Sequence, residues 1–168
     1  MNRRFIIEAV LMAIYGQLLM PGRQVEYIIP YTTILELYDM KESTEPVMPD
    51  PEDDAHVKGK ISELIAFFED PFNKKKLEKA LMAPWKKSAP LLVNEHTTFT
   101  VVYAVENAQY GETFDPVETE LILTSMRESA PLLTDQFEFI EKLIDAEVPV
   151  QAYDIEDFEF AVDEDVSV

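Results

Sequence analysis

The sequence offers two histidines for acid–base or metal chemistry, His56 and His96. His56 stands beside acidic residues at the start of an amphipathic segment, where a solvated side chain is typical. His96 follows Asn94 and Glu95 in a predicted turn, and functional groups gather on turns that a rigid sheet supports. We therefore keep one enzymatic alternative, a carboxylate- and histidine-based metal-dependent hydrolase centred on His96 and Glu95.

The patterns that would support such an enzyme are missing. A mononuclear metal site needs about three protein ligands at fixed geometry, and no His-x-x-x-His or His-Glu-x-x-His pattern occurs. The sequence has no cysteine, no Gly-x-Ser-x-Gly or Ser-x-x-Lys motif, and only four widely spaced glycines, which cannot form a phosphate-binding loop. We expect no metal and no cofactor, and a non-enzymatic role is favoured.

Lysines are concentrated in one short part of an otherwise acidic chain. Six of the 14 basic residues and the only tryptophan fall together. We name this set the basic surface, and it consists of Lys74, Lys75, Lys76, Lys79, Trp85, Lys86 and Lys87. Aromatic anchors beside cationic side chains are common in protein interfaces, so this is the predicted partner-binding site. The alternatives are a solvated helix face beside a core tryptophan, and self-association against the acidic C-terminal half.

The formal net charge of −19 limits the classes of partner. Because like charges repel, direct binding to nucleic acid phosphates or to anionic membrane surfaces is disfavoured. The expected function is that of a soluble, cytoplasmic protein that binds another protein. A further alternative is an acidic nucleic-acid mimic, whose rows of carboxylates occupy the site of a nucleic-acid-binding protein.

The elements that must position these residues begin with the segment from Phe5 to Met20, in which 13 of 16 residues are apolar. Apolar residues lie on every side of the helical wheel, so the pattern predicts a buried N-terminal helix. At about 1.5 Å per residue the segment reaches about 24 Å, short of a bilayer core of roughly 30 Å. No small-residue cleavage site follows it, so we expect neither a membrane anchor nor a signal peptide.

Shorter elements follow this segment. Alternating apolar residues predict strands at 25–29, 91–93 and 97–106, and a closing hairpin formed by 148–153 and 157–162. Helical periodicity predicts helices at 55–70 and 134–146. Asp115, Pro116 and Glu118 form a helix-start pattern, although 117–128 also fits a strand.

These elements predict an α+β fold, with a buried N-terminal helix and further helices packed on a small, mostly antiparallel sheet. The length suits a single globular domain, which we place at 1–162. Prolines and acids in 41–54 predict a mobile surface loop, and 163–168 is expected to be a frayed acidic tail.

Overall fold

The chain alternates short strands with helices. The computed structural model describes residues 3–105 and 112–163. In chain order the elements are β1 (Arg3–Ile7), α1 (Val10–Ile14), a 3₁₀ helix (Gly16–Leu19), β2 (Val25–Pro30), α2 (Tyr31–Glu42), α3 (Pro51–Glu69), α4 (Pro71–Ala80), β3 (Leu91–Leu92), β4 (Thr97–Val102), α5 (Pro116–Glu128), β5 (Leu132–Leu133), α6 (Phe137–Asp145), β6 (Ala152–Tyr153) and α7 (Ile155–Asp163). Each pair of neighbouring parallel strands is connected through at least one helix, as parallel pairing requires.

The sheet has the strand order β3-β4-β2-β1-β5-β6. Strands β4, β2, β1, β5 and β6 run parallel, and among the described strands β3 alone is antiparallel to its neighbour. The prediction of one α+β domain with helices packed on a sheet is confirmed, whereas the prediction of a mostly antiparallel sheet is wrong. Parallel strands are favoured here because β1 and β2 are rich in apolar residues that helices cover on both faces.

The predicted N-terminal helix is also wrong in part. Residues 3–7 form the central strand β1, and only Val10–Ile14 of the segment forms an α-helix. Burial is as expected, since Phe5, Ile6 and Ile7 are fully enclosed. A run that is apolar on all sides suits a buried parallel strand as well as a buried helix, and the β-branched isoleucines favour the strand.

Two hydrophobic cores lie on opposite faces of the sheet. The larger one collects buried residues from α1, α2, α3, α4 and α7, and the smaller one collects buried residues from α5 and α6. Phe99 of β4 is central to the larger core, with its ring 5.5 Å from that of Phe67 and 5.8 Å from that of Phe68. Neighbouring residues of one strand therefore serve different cores, as Ile6 and Ile7 do.

The helices predicted from the sequence are present, although two of their starts differ from the predicted ones. The amphipathic helix predicted at 55–70 is α3, with Val57, Ile61 and Phe68 buried. Residues 117–128 are helical in α5, which begins with a capping box between Asp115 and Glu118. The helix predicted at 134–146 is shorter, because Leu132–Leu133 forms β5 and α6 begins at Phe137.

The loop predicted at 41–54 is narrower than expected. Helix α2 extends to Glu42 and α3 begins at Pro51, so the connection comprises 43–50. The side chain of Asp50 caps α3 by accepting hydrogen bonds from the amides of Glu52 and Asp53. The acids at the end of the predicted loop therefore belong to a helix start, where the helix dipole favours negative charge.

The predicted closing hairpin is wrong. The strand is limited to Ala152–Tyr153, and the chain continues as α7, whose buried residues are Phe158, Ala161 and Val162. This i, i+3, i+4 spacing is helical. The same stretch also places apolar residues at every second position, Phe158, Phe160 and Val162, which is why it resembled a strand. Asp163 ends α7, and the rest of the predicted tail, 164–168, lies outside the described residues.

Across 3–105 and 112–163, no helix has both the length and the apolar character that crossing a bilayer requires.

Candidate functional site

His96 and Glu95 lie in the turn that precedes β4, at the amino-terminal edge of the parallel strands. The turn is fixed to its surroundings by main-chain contacts. The carbonyl oxygen of His96 accepts a 2.8 Å hydrogen bond from the amide of Val25. The side chain of Asn94 donates a 2.7 Å bond to the carbonyl oxygen of Leu19 and accepts one from the amide of His96. The polar residues of this turn thus fasten β4 to the connection before β2.

The His96 imidazole has one acidic neighbour. Its Nε2 atom lies 3.6 Å from Oε1 of Glu95, whose side chain is 86% exposed. Within the described ranges, no group of three or more histidine, aspartate or glutamate side chains is placed to hold a metal ion. The structure therefore brings together the two residues of the hydrolase alternative but adds no third described ligand. His56, in the first turns of α3, is exposed.

The basic surface is divided between two elements. Lys74, Lys75, Lys76 and Lys79 lie on α4, and Trp85, Lys86 and Lys87 lie on the segment that follows it. Lys76 donates a 2.9 Å hydrogen bond to the carbonyl oxygen of Pro90, next to β3. Three exposed apolar residues, Phe72, Met82 and Leu92, occur in the same part of the chain. The basic surface therefore belongs to the β3 edge of the sheet.

Part of the basic surface is already engaged in internal contacts. The guanidinium carbon of Arg127 lies 4.3 Å from the centre of the Trp85 ring, and Trp85 packs against the smaller core. Lys87 forms a 3.1 Å ion pair with Glu128, which also binds Arg4 of β1 at 2.6 Å. Although burial opposes the shift, these hydrogen bonds from Lys87 and Arg4 lower the pKa of Glu128. Trp85 thus fits the core interpretation better than that of a free anchor.

The opposite edge of the sheet is acidic and also carries apolar side chains. We name α6, β6 and α7 together the acidic edge. Phe137, Ile144 and Phe160 are 69%, 69% and 60% exposed there, among the exposed acids Glu138, Glu141, Asp145, Glu147, Asp154, Glu156, Asp157, Glu159 and Asp163. Phe137 and Ile144 lie on α6 and Phe160 on α7, on opposite faces of the sheet. Large apolar side chains exposed within a charged surface are typical of an interaction site. The sequence had indicated the acids but not these side chains.

Two grooves flank the edge strand β6. The first, about 310 Å³ in volume, is lined by Ile140, Leu143, Ile144, Glu147, Val148, Val150 and Ala152. The second, about 450 Å³, is lined by Ala152, Tyr153, Glu156, Asp157, Phe160 and Ala161. Val150 and Ala152 pack on the smaller core and Tyr153 on the larger one, so the grooves lie on opposite faces of the sheet.

A third feature lies at the carboxyl ends of the parallel strands. The chain moves from β1 outward to β2 and β4, then returns to the other side of β1 for β5 and β6. Open parallel sheets bind ligands most often at this reversal, outside the carboxyl ends of the two central strands. Glu8 directly follows β1, and Thr134 and Asp135 directly follow β5.

Glu8 is a half-buried carboxyl group at this reversal. Burial, together with the negative charges of Glu36, Asp135, Asp115 and Glu118, raises its pKa to about 7. Over the described residues, no side chain donates a hydrogen bond to it. Sequence reasoning missed Glu8 because it treated the residue as part of a helix. The available signal was an acid placed immediately after the short apolar run Phe5-Ile6-Ile7.

No protein-family model matches the chain, and no curated protein matches it.

Proposed function

We propose that this protein acts by binding another protein, and that the acidic edge is its principal binding surface. The observation that carries the proposal is the exposure of Phe137, Ile144 and Phe160 within a strongly acidic surface. Apolar anchors supply binding energy once they are buried, and the surrounding charge selects the partner and steers its approach. The complementary partner has a basic surface with apolar groups at its centre.

The basic surface supports a second contact of opposite sign. Lys74, Lys75 and Lys79 are exposed, and none forms an ion pair with a described residue. Because they lie at the β3 edge and the acidic edge contains β6, at the opposite end of the sheet, one molecule has room for two partners at once. The net charge of −19 makes a basic partner the favoured one of the two.

Affinity capture with matched charge reversals tests this proposal. The acidic-edge variant combines Glu141→Lys, Asp145→Lys and Glu156→Lys, all exposed positions. The control variant combines Glu42→Lys, Glu45→Lys and Glu52→Lys, which change the net charge equally at exposed positions on α2, α3 and their connection.

We expect the acidic-edge variant alone to lose its principal partner, and the purified partner to bind the wild-type protein directly with an affinity that falls as salt rises. Equal capture by both variants would contradict the proposal. A variant that reverses the charges of Lys75, Lys79 and Lys86 tests the basic surface in the same experiment. Loss of a different partner is the expected result.

A second candidate function rests on Glu8. A carboxyl group with a pKa near 7 exchanges its proton readily at neutral pH, which suits a general acid or base acting on a small molecule. Its place beside the reversal between β1 and β5 supports this candidate. A metabolite panel screened by thermal shift tests it, because a ligand of this site should stabilise the wild-type protein and not the Glu8→Gln variant.

A further inference from the structure

The edge strand β6 has main-chain groups that its own sheet does not use. The carbonyl oxygens of Gln151 and Tyr153 accept hydrogen bonds from Leu132 and Thr134 on the β5 side, each at 2.8 to 3.0 Å. Because successive residues of a strand direct their main-chain groups to alternate sides, the amide and carbonyl of Ala152 point away from β5. An open edge of this kind is a template for another strand.

We propose that the acidic edge binds an extended, cationic segment of a partner protein, which pairs with Ala152 and adds a strand to the sheet beyond β6. This inference deepens the proposed function, on which it rests, by specifying the form of the partner. Binding by strand addition combines main-chain hydrogen bonds with pockets for alternate side chains. Both components are present at β6.

The two grooves provide the pockets. Consecutive side chains of an added strand point to opposite faces of the sheet. One apolar side chain would enter the groove formed by Ile140, Ile144 and Val150, and the next would enter the groove formed by Tyr153 and Phe160. Two adjacent apolar residues are therefore expected at the centre of the bound segment.

Charge determines what surrounds those two residues. Glu147 contributes to the lining of the first groove, and Glu156 and Asp157 contribute to that of the second. Lysine or arginine on either side of the apolar pair would meet these carboxylates. The remaining tail of this chain, 164–168, contains no lysine or arginine and carries two acids, so its composition opposes it as the occupant.

The other edge of the sheet is blocked at the position that precedes β3. Pro90 precedes β3 and has no amide hydrogen, and its carbonyl oxygen accepts a hydrogen bond from Lys76. Proline and charged side chains are common means of blocking a sheet edge. At β6, by contrast, the outward main-chain groups of Ala152 lie between two apolar grooves.

Synthetic peptides test the proposal. The probes are acetylated peptides of about eight residues, a length typical of a strand, with Ile-Val, Val-Phe or Leu-Tyr at the centre and lysine and arginine on both sides. The control peptides carry N-methyl groups on the central amides, which removes main-chain donors and leaves charge and side chains unchanged. Titration is followed by calorimetry and by amide NMR shifts of the intact protein.

The proposal predicts that at least one unmodified peptide binds about fivefold more tightly than its methylated form, because the peptide amide can no longer donate a hydrogen bond to the carbonyl oxygen of Ala152. The amide of Ala152 should show a large NMR shift. The Ala152→Pro variant, which removes the outward amide hydrogen, should weaken binding by a similar factor, whereas Ala152→Ser should not. Retained NMR dispersion in Ala152→Pro shows that its fold is intact, and the peptide comparison does not depend on that variant.

Equal binding of both peptide forms, or no binding of any peptide, would overturn strand addition. Equal binding would indicate a helical or purely electrostatic occupant, and self-association at rising concentration would indicate a second copy of this chain. If the acidic-edge charge reversals still abolish partner capture, the proposed function stands and the strand-addition inference alone fails. If those reversals have no effect on capture, the proposed function fails first.

Discussion

The hydroxyl group of Tyr15 donates a 2.9 Å hydrogen bond to the carboxylate of Asp135. This bond joins the segment that follows α1 to the segment that follows β5. It therefore lies near the point where the strand order reverses, between β1 and β5. Asp135 is also one of the carboxylates that raise the pKa of Glu8. The carboxyl ends of β1 and β5 are therefore coupled electrostatically as well as by hydrogen bonding.

Glu8 should make the protein less stable as the pH rises. Its folded-state pKa of about 7 exceeds the ordinary value of 4.5, so the folded protein binds more protons than the unfolded chain between these values. Stability must then fall as pH rises through this window, by up to roughly 3 kcal/mol. The Glu8→Gln variant should lack this decline and exceed the wild type in stability at pH 8.

The Glu8 prediction is checked by measuring the free energy of unfolding in urea between pH 5.5 and pH 8. This pH range lies above the sequence pI of about 4.3. A carboxyl NMR titration of the folded protein measures the pKa directly. A Glu8 midpoint close to 4.5 would show that the prediction is wrong.

Asp135→Asn should lower the pKa of Glu8. The substitution removes one negative charge that opposes ionisation of Glu8. Burial is the larger cause, so the pKa should remain above its ordinary value. Tyr15→Phe is the control, since it breaks the bond to Asp135 but leaves the Asp135 charge in place. A Glu8 pKa that responds more to Tyr15→Phe than to Asp135→Asn would contradict the electrostatic explanation.

Replacement by alanine should affect partner binding at Phe137 and stability at Phe139. Phe137 is 69% exposed and Phe139 is 1% exposed, although both lie in the first turn of α6. Phe137→Ala should change the free energy of unfolding by less than about 0.5 kcal/mol and reduce partner capture at the acidic edge. Phe139→Ala should cost about 3–5 kcal/mol, because its ring packs against Phe114 in the smaller core. Chemical denaturation measures the free energy of unfolding of both variants. Unchanged partner capture by Phe137→Ala would show that Phe137 is not part of the binding surface.

Asp54 should hold part of the connection between α2 and α3 in place. Its carboxylate accepts hydrogen bonds from the amides of Val47 at 2.6 Å and Met48 at 3.1 Å. The Met48 bond lowers the pKa of Asp54, burial opposes the shift, and the Val47 bond and Lys58 lower it further. Because its pKa is lowered in the folded protein, the Asp54 carboxylate should continue to stabilise the connection as pH falls, until Asp54 itself is protonated. Hydrogen exchange at Val47 and Met48 should be slow in the wild type and fast in Asp54→Ala, with Asp53→Ala as the control; equal exchange in all three would indicate no such role.

Local features of this fold were predictable from the sequence, and strand pairing was not. The periodicity of α3 and the capping box of α5 depend on residues within a few positions of each other, so the sequence displays them directly. The pairing of Ile6 with both Ile28 and Leu132 depends on residues far apart in the chain. No pattern near Ile6 specifies those partners, which is why the central strand was assigned to a helix.

The same limit applied to the candidate sites. Lys74 to Lys87 stood out as a cluster in sequence, yet the internal contacts of Trp85 with Arg127 and of Lys87 with Glu128 join residues about 40 positions apart. Glu8 and the two grooves beside β6 likewise arise only when the sheet is assembled. The sequence shows that the acidic edge is negatively charged. The exposure of its phenylalanine and isoleucine side chains is visible only in the three-dimensional structure.

The central position of β1 has a consequence for synthesis on the ribosome. Strand β1 lies between β2, which follows it closely in the chain, and β5 at Leu132–Leu133, which is far from it in the chain. One side of β1 must therefore stay without its native neighbour until β5 has been translated. Closing so distant a contact costs chain entropy before it is rewarded, so completion of the sheet is expected to be a late step in folding.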